Sequence, residues 1–285
     1  MSLPNITAVI ITKNEELMLA NCIETLRWCK DILVIDSDSS DQTLAIGERL
    51  GAKVITTRVQ SFAERRNVAL DHIKTDWLFY IDADERVAPQ LAKEILVQIE
   101  TTTAGALEMH RQNMMYGKYF LNGGWGKEFV QRIFRKQTLA GWKGEIHESP
   151  LYEGEIIRLH NSLFHLTHRS TIDGLHKTAT WTPLEAKLLY DANIPLVTPF
   201  ILLRKTAMEF IRRAFLWSGR KDGVEGYIEA GIQAMNRFLV YVQVWELQQQ
   251  PTLTERYHDK EMDFMKMWKK TSLSELSPLF KTEDE

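Results

Sequence analysis

The chain has 285 residues, of which 44% are hydrophobic and 26% are charged. These proportions are typical of a soluble globular protein, and the length predicts either one large domain with an appendage or two domains. The formal net charge of -3 excludes the overall positive charge typical of nucleic-acid-binding proteins, so we expect no nucleic-acid partner.

Short apolar runs alternate with helical patterns through the first hundred residues. Strands are predicted at 6–11, 32–36, 53–57 and 77–82, and helices at 15–29, 42–50, 62–73 and 89–100. Strand and helix alternating with short connections predict a parallel sheet covered by helices on both faces. Ligands of such sheets bind at the carboxyl ends of the strands.

The pattern changes after residue 105. Apolar runs at 105–120, 129–136 and 162–168 predict strands of a mixed or antiparallel extension, and from residue 171 the chain is typical of helices. The segment LAGWKGEIHESP (139–150) combines glycines with an aromatic residue and ionisable groups. Such a composition favours a loop over a site rather than a core element.

The two cysteines and the N-terminus indicate the reducing cytoplasm. Cys22 and Cys29 are seven residues apart on the first predicted helix, roughly 10 Å along its axis. That spacing exceeds the Cα separation of about 4.4 to 6.8 Å in a disulfide. The segment MSLPNITAVI (1–10) lacks the basic region and apolar core of a signal peptide, and no run approaches the roughly 18 apolar residues of a spanning helix.

Polar side chains follow three of the predicted strands. They are Thr12–Glu15 after the first strand, Asp36–Asp41 after the second, and Asp82, Asp84 and Glu85 after the fourth. Capping of the following helices is an alternative explanation for Asn14 and Asp41. It does not explain Asp82 and Asp84 together, and because such carboxylates repel each other, we expect a cation among them.

Asp82 and Asp84 present hard oxygen ligands in a fixed loop, which suits Mg²⁺ or Mn²⁺. Magnesium completes its shell with water and substrate phosphates, so a phosphorylated ligand is implied. Neither a P-loop nor a G-x-G-x-x-G motif is present, so metal and side chains must hold the phosphate. Arg65 and Arg66 are candidate partners of a diphosphate. Alternatively, Asp82 and Asp84 are solvated acids of a turn, and Arg65 and Arg66 lie on a solvated face of a helix.

Four motifs carry a resemblance to a known family: VIITKNEE (9–16), VIDSDSSDQT (34–43), AERRNVAL (63–70) and WLFYIDADE (77–85). In this order and spacing the chain resembles glycosyltransferase family two, the inverting nucleotide-sugar transferases of GT-A fold, over roughly residues 5–168. Within that family it is more closely similar to the bacterial lipooligosaccharide and lipopolysaccharide core β-1,4-glucosyltransferases. In these enzymes a His-Glu pair, such as His147 and Glu148 here, follows the second half of the catalytic domain.

The resemblance implies an α/β fold of GT-A type, Rossmann-like, with a mixed, mainly parallel sheet and a C-terminal helical extension. The catalytic domain would span residues 1–170, with a donor half at 1–100 and an acceptor half at 101–170. A helical region at 171–285 would follow.

The resemblance also implies a nucleotide site. Thr12, Asn14 and Glu15 would line the nucleotide pocket, and Asp36 would accept a hydrogen bond from the uracil imide. Many family members have two consecutive aspartates at this motif, whereas this chain has Ser37 in the second place. Recognition of UDP over another nucleotide therefore depends on Asp36.

The donor diphosphate and the metal would lie further along the same edge. Arg66 and Asn67 would approach the diphosphate or the ribose. Asp82 would reach the ribose and the water shell of the metal, while Asp84 would ligate the metal directly. The implied cofactor is Mn²⁺ or Mg²⁺, and the implied co-substrate is a UDP-sugar.

Inverting transfer also requires a base for the acceptor hydroxyl, on the opposite face of the sugar from the leaving group. Glu148 is the predicted base and Glu145 the second candidate, while His147 would orient the base or contact the metal or diphosphate. Trp125 and Trp142 offer flat faces for a sugar ring. The alternatives are surface-loop positions for the ionisable residues and structural roles for the tryptophans.

Residues 200–221, FILLRKTAMEFIRRAFLWSGRK, predict a basic amphipathic helix. Such helices lie on anionic membrane surfaces, and the alternative is an apolar face packed on the catalytic domain. Asp222 and Gly223 would stand at a turn between two helices, which is similar to the tail of the core transferases.

We therefore expect a metal-dependent transferase that moves a hexose, glucose by the family comparison, from a UDP-sugar to a glycolipid or oligosaccharide acceptor. The expected acceptor is the lipopolysaccharide inner core, and the expected location is cytoplasmic, peripheral on the inner face of the bacterial inner membrane. Polyprenyl phosphate or a protein is the alternative acceptor. Nucleotide-sugar binding without turnover is the alternative activity, against which the intact Asp82 and Asp84 pair argues.

Overall fold

The computed structural model describes residues 4–59, 61–144 and 148–271. Two predicted catalytic residues, Glu145 and His147, lie outside these described residues, so their roles stay predictions.

The chain divides into two compact units. One unit comprises the chain up to Thr178 together with Met208–Gln233. The other comprises Ala179–Ala207 together with the chain from Ala234 onward. A segment of the helical region thus belongs to the same unit as the sheet.

The first unit contains the strands. In the described chain these are β1 (Ile6–Thr12), β2 (Asp31–Asp36), β3 (Lys53–Thr56), β4 (Trp77–Asp82), β5 (Glu85–Val87), β6 (Ala106–Met115), β7 (Lys118–Tyr119), β8 (Phe129–Arg135), β9 (Leu139–Lys143), β10 (Ser149–Tyr152), β11 (Ile156–Arg158) and β12 (Leu163–Leu166). All except β9 and β10 form one mixed sheet in the order β3-β2-β1-β4-β8-β6-β12-β5, with β7 and β11 also paired to β6. β1 runs parallel to β2 and β4, whereas β8 runs antiparallel between β4 and β6.

Helices of the first unit cover both faces of this sheet. The helices of the described chain are α1 (Leu19–Glu24), α2 (Thr43–Arg49), α3 (Phe62–Leu70), α4 (Pro89–Thr101), α5 (Thr171–Asp191), α6 (Pro199–Ile211), α7 (Val224–Leu247) and α8 (Leu253–Lys270). Alternate side chains of β1 point to opposite faces, so Ile10 joins one apolar core with α1 and α4 while Val9 joins a second core with α3. The predicted sheet with helices on both faces is confirmed.

The first helix is shorter than predicted. The N–H of Thr25 bonds to the carbonyl of Cys22 at 3.1 Å and that of Leu26 to Ile23 at 2.9 Å, so the chain tightens after Glu24. Cys29 lies beyond the end of α1, and the prediction that both cysteines share one helix face is wrong. Both thiols are free and buried.

The prediction of a loop rather than a core element at 139–150 is also wrong. Leu139–Lys143 forms strand β9, which pairs antiparallel with β10 from Ser149 onward. The Asn67 side chain of α3 fixes β9 by accepting from the N–H of Trp142 at 2.8 Å and donating to its carbonyl at 3.0 Å. Gly141 permits this approach, since its φ is +145° and a Cβ there would lie 3.1 Å from Asn67 Oδ1. Trp142 is consequently a buried residue of the second core.

Residues 200–221 do not form one continuous helix. The α-helix ends at Ile211, a π-helical turn follows at Arg212–Leu216, Ser218 adopts a left-handed conformation with φ of 59°, and a 3₁₀ turn spans Gly219–Asp222. No described helix is both long and apolar enough to cross a membrane.

Asp222, the last residue of the 3₁₀ turn, holds the loop between β7 and β8 of the same unit. The Asp222 carboxylate accepts from the N–H of Leu121 at 3.4 Å, and from the N–H and Nδ2 of Asn122 at 2.9 and 2.8 Å. Lys118 donates to the Asp222 carbonyl at 2.6 Å. The Asp222 and Gly223 turn that the sequence singles out thus fixes the loop that carries Trp125.

Candidate active site

An arginine lies between two of the three carboxylates at the carboxyl end of β4. Arg132 of β8 donates from Nη2 to Asp82 Oδ2 and to Glu85 Oε1, both at 2.5 Å. Glu85 is fully buried, and its Oε2 accepts the backbone N–H of Asp82 at 2.9 Å. Arg111 of β6 approaches Glu85 Oε1 to 3.6 Å. The cation expected among the carboxylates is therefore supplied by the chain itself.

These arginines keep Asp82 ionised. Burial alone would raise the pKa of Asp82, but the charges of Arg132, Arg66 and Arg111 hold that pKa well below its ordinary value. Burial would likewise lower the pKa of Arg132, but Asp82 and Glu85 raise it above the ordinary value. Asp82 and Arg132 are thus both charged at neutral pH.

Asp84 faces a different set of partners. Its Oδ2 lies 3.3 Å from His165 Nε2 of β12 and 3.5 Å from Lys177 Nζ of α5. Burial would raise the pKa of Asp84, but the hydrogen bond from His165 and the charges of His165 and Lys177 hold it below its ordinary value. Asp84 is therefore a carboxylate that none of the arginines around Asp82 neutralises.

The proton on His165 is placed by its neighbours. Glu128 can only accept hydrogen bonds, so Asn113 turns its Nδ2 toward Glu128 Oε2 at 2.8 Å and its Oδ1 toward His165 Nδ1 at 2.7 Å. This orientation places a proton on Nδ1, and Nε2 is the ring nitrogen that faces Asp84. Arg111 fixes Glu128 in turn with hydrogen bonds of 3.0 and 2.5 Å. Histidine metal ligands are commonly oriented in this way.

Asp84 and His165 are therefore suited to hold a divalent metal. Within the described ranges, no three His, Cys, Asp or Glu side chains are grouped closely enough to form an all-protein metal site. Two protein ligands suit a metal whose shell is completed by water and substrate phosphates. An imidazole ligand favours Mn²⁺ over Mg²⁺.

Glu15 lies near the same carboxylate. Burial and the negative charge of Asp84 raise the pKa of Glu15 to about 7. Near neutral pH its carboxyl group can therefore donate as well as accept a hydrogen bond.

A cleft of about 430 Å³ opens beside Asp82. Arg66 of α3 lines it, donating from Nη2 to Glu148 Oε1 at 3.0 Å and lying 3.7 Å from Asp82 Oδ1. The Arg66 guanidinium is buried and stacks 4.7 Å from the centre of the Trp142 ring. Glu148, the predicted base, thus faces the cleft beside Asp82. Arg65 instead donates to the carbonyl of Val59 at 3.0 Å.

The loops after β1 and β2 are joined by hydrogen bonds. Asp36 is fully buried and accepts from Thr12 Oγ1 at 3.0 Å, and from the N–H and Oγ of Ser39 at 2.8 and 2.6 Å. Asn14 has a left-handed φ of 54° and accepts the N–H of Ser40 at 2.8 Å. Asn14 therefore joins the two loops rather than capping α1, and the predicted nucleotide contacts of these residues stay predictions.

The two tryptophans and Asn67 make structural contacts. The Trp142 ring packs edge-on against Tyr80 at 5.1 Å and Phe134 at 5.4 Å, and part of Trp142 lines the cleft. Trp125 is half-buried, 5.5 Å from the Arg213 guanidinium. The amide of Asn67 bonds the Trp142 backbone, and the predicted ligand contacts of all three remain predictions.

Sequence reasoning missed four residues of this site: Arg132, Glu128, Asn113 and His165. Arg132, Asn113 and His165 lie in segments identified only as strands, and Glu128 directly precedes one of these segments. A signal was present, because FVQRIFR places a charged residue directly beside the apolar pair Ile133 and Phe134. A charged side chain in a buried strand requires a partner of opposite charge.

Comparison with known proteins gives the family. Residues 7–148 match the family described as Glycosyl transferase family 2. An uncharacterized glycosyltransferase of Rickettsia conorii is 29% identical over 265 residues, covering 82% of this chain and 87% of that protein. The lipopolysaccharide core biosynthesis glycosyltransferase LpsC of Rhizobium meliloti is 26% identical over 258 residues, covering 85% of this chain and 92% of that protein.

A solved structure has the same fold. The mannosyltransferase PcManGT from Pyrobaculum calidifontis, in complex with GDP-Man and Mn²⁺, superimposes with a TM-score of 0.52 at 12% identity. The match covers 86% of this chain and 88% of that one. The sheet order and this similarity define the GT-A fold. Within that class, the chain belongs to glycosyl transferase family 2, which confirms the predicted fold and family.

Removal of the bridging arginine tests its structural role. Arg132→Met leaves Glu85 buried without its closest cation, so we expect the free energy of unfolding to fall by about 3–5 kcal/mol. Urea denaturation measures the change. Arg158→Met is the matched control, because Arg158 also pairs with a glutamate on the same sheet but is exposed, and we expect a loss below about 1 kcal/mol. Equal losses in the two variants would contradict the assignment.

Proposed function

We propose that the chain is a metal-dependent, inverting glycosyltransferase that moves a hexose from a UDP-sugar to a saccharide acceptor. The observation that carries the proposal is the division of the carboxylates after β4. Asp82 and Glu85 are held by Arg132, whereas Asp84 faces His165. Membership of a glycosyltransferase family supports the activity, and the Mn²⁺ and GDP-Man complex of the mannosyltransferase supports a metal and a nucleotide sugar.

In the proposed site, Asp84 and His165 hold the divalent metal. When bound, such a metal stabilises the negative charge that develops on the leaving diphosphate. Asn113 keeps a proton on His165 Nδ1, so that Nε2, which faces Asp84, is the nitrogen that would act as the ligand. Arg132 keeps Asp82 ionised and oriented, which suits its proposed contacts with the ribose and the metal's water shell.

The nucleotide is proposed to lie over the loops that follow β1 and β2. The hydrogen bonds from Thr12 and Ser39 to Asp36, and from Ser40 to Asn14, give these loops one fixed shape. A fixed loop binds a planar base without an ordering cost at the moment of binding. Glu15, whose pKa is raised by burial and by the charge of Asp84, is a further proposed contact of the nucleotide.

Glu148 is the proposed general base. Arg66 orients the Glu148 carboxylate at the cleft beside Asp82. Arg66 and Asn67 are also the proposed contacts of the diphosphate or the ribose. As the acceptor oxygen bonds to the anomeric carbon, the bond to the diphosphate breaks and the hydroxyl proton passes to Glu148. Such a single displacement inverts the anomeric configuration.

We further propose glucose as the hexose and the lipopolysaccharide inner core as the acceptor. The similarity to LpsC, named as a lipopolysaccharide core glycosyltransferase, supports this acceptor class. An acceptor of this kind is anchored in lipid, and the enzyme would work at the cytoplasmic face of the bacterial inner membrane.

Calorimetric titration with UDP tests the nucleotide and metal site. We expect Mn²⁺ to strengthen UDP binding to the wild type, and Asp84→Asn to remove that dependence, because the amide lacks the charge that binds the metal. Asp76→Asn is the matched control, since Asp76 immediately precedes β4 at its opposite end. UDP binding that is independent of Mn²⁺ in the wild type would contradict the proposal.

A transfer assay tests the base. With UDP-glucose and purified lipopolysaccharide core, we expect Glu148→Gln to lower kcat by about 10²–10⁴-fold with little change in the donor KM, because the amide cannot accept the proton. Glu153→Gln, in the exposed turn after β10, should leave kcat unchanged. A Glu148→Gln enzyme with wild-type kcat would exclude this residue as the base.

A further inference from the structure

Three consecutive large apolar side chains project into solvent at the end of the π-helical turn. Phe215, Leu216 and Trp217, here called the apolar tip, expose 47%, 68% and 43% of their surfaces. Contiguous exposed apolar side chains of this size commonly mark an interaction surface.

The apolar tip is held rigidly in this exposed position. The carbonyl of Trp217 accepts the N–H of Gly123 at 2.8 Å, and its ring lies over Gly124, where an added Cβ would come within 2.7 Å. Arg213 donates to the carbonyl of Gly123 at 3.1 Å and to the buried Glu209 at 2.6 Å. The tip is therefore anchored by its backbone, and burying its side chains would cost little ordering entropy.

The charge around the apolar tip is positive. Arg220 and Lys221 follow it after two small residues and are exposed, and the Arg212 guanidinium stacks 4.6 Å from the centre of the Trp217 ring.

The acids near the apolar tip do not offset this positive charge. Asp222 and Glu229 are buried, beside Asn122 and Gln233 respectively. Glu209 pairs with Arg212 and Arg213, and Glu225 pairs with Lys118. The outward surface thus combines an apolar tip with cationic flanks.

We propose that the apolar tip, flanked by Arg220 and Lys221, is a docking element for an anionic phospholipid surface. Tryptophan, phenylalanine and leucine side chains partition into the interfacial region, while lysine and arginine beside them contact the anionic headgroups. An uncharged apolar protein surface would not use the cationic flanks. This inference goes beyond the proposed reaction, because its test requires neither donor nor acceptor.

The sequence predicts that a continuous amphipathic helix contacts the membrane. The structure assigns this contact to a smaller set of residues, the apolar tip with Arg220 and Lys221. Arg212 and Arg213 both pair with the buried Glu209, so charge reversal there would disrupt the fold. Arg220 and Lys221 form no ion pair within the described chain and can be reversed without breaking one.

A fluorescent label at the tip provides the test. The native cysteines are buried, so Leu216→Cys creates a single accessible thiol for an environment-sensitive dye. Val97→Cys, on the exposed face of α4, is the matched control. With vesicles of phosphatidylcholine and phosphatidylglycerol, we expect a blue shift and quenching by a lipid-borne quencher at position 216 but not at 97, and neither with phosphatidylcholine alone.

Charge reversal completes the test. Arg220→Glu with Lys221→Glu should weaken partitioning about tenfold or more, since each basic residue near an anionic surface contributes to binding. Lys269→Glu with Lys270→Glu, a basic pair on the exposed α8, should leave it unchanged. The proposal is overturned if position 216 gives no lipid response, if position 97 responds equally, if the α8 variant alone loses binding, or if the dye responds to protein concentration without vesicles.

Discussion

Arg132 lies between two carboxylates that would otherwise repel each other at the end of one buried strand. Its Nη2 bonds both Asp82 and Glu85, and Arg66 and Arg111 reach the same pair from neighbouring elements. Because buried charges are stable only when paired, this arrangement requires β4, β6, β8 and α3 to be in place together. The mixed half of the sheet is thus coupled to the parallel half through charge as well as through backbone hydrogen bonds.

This neutralisation gives the three carboxylates different chemistry. Asp82 and Glu85 are held by the chain itself, whereas Asp84 points to His165 and stays ionised through weaker, longer contacts. The chain from Arg111 through Glu128 and Asn113 to His165 orients the imidazole. One connected set of polar side chains therefore extends from the cleft at Glu148 to the proposed metal ligands.

The sequence predicts the parallel half well and the mixed half poorly, for physical reasons. Strands β1 and β4 are apolar and buried on both faces, so their positions and the polar residues that follow them are visible as local patterns. Arg132 and His165 acquire their roles only through partners about 50 to 80 residues away, which no local pattern reveals. The sequence predicts a loop around Trp142 because this segment combines glycines with ionisable residues. In the structure, Gly141 instead lets Asn67 hold β9 against α3.

Asp84 and His165 are the proposed ligands of the metal, and neither is paired with Arg132. Electron–nuclear double resonance on the Mn²⁺ and UDP complex of protein labelled with ¹⁵N-histidine tests this proposal most directly. We expect a ¹⁵N coupling that disappears in His165→Asn and persists in His160→Gln, a control on an exposed histidine. A coupling that survives His165→Asn, or Mn²⁺ bound without any nitrogen ligand, would contradict it.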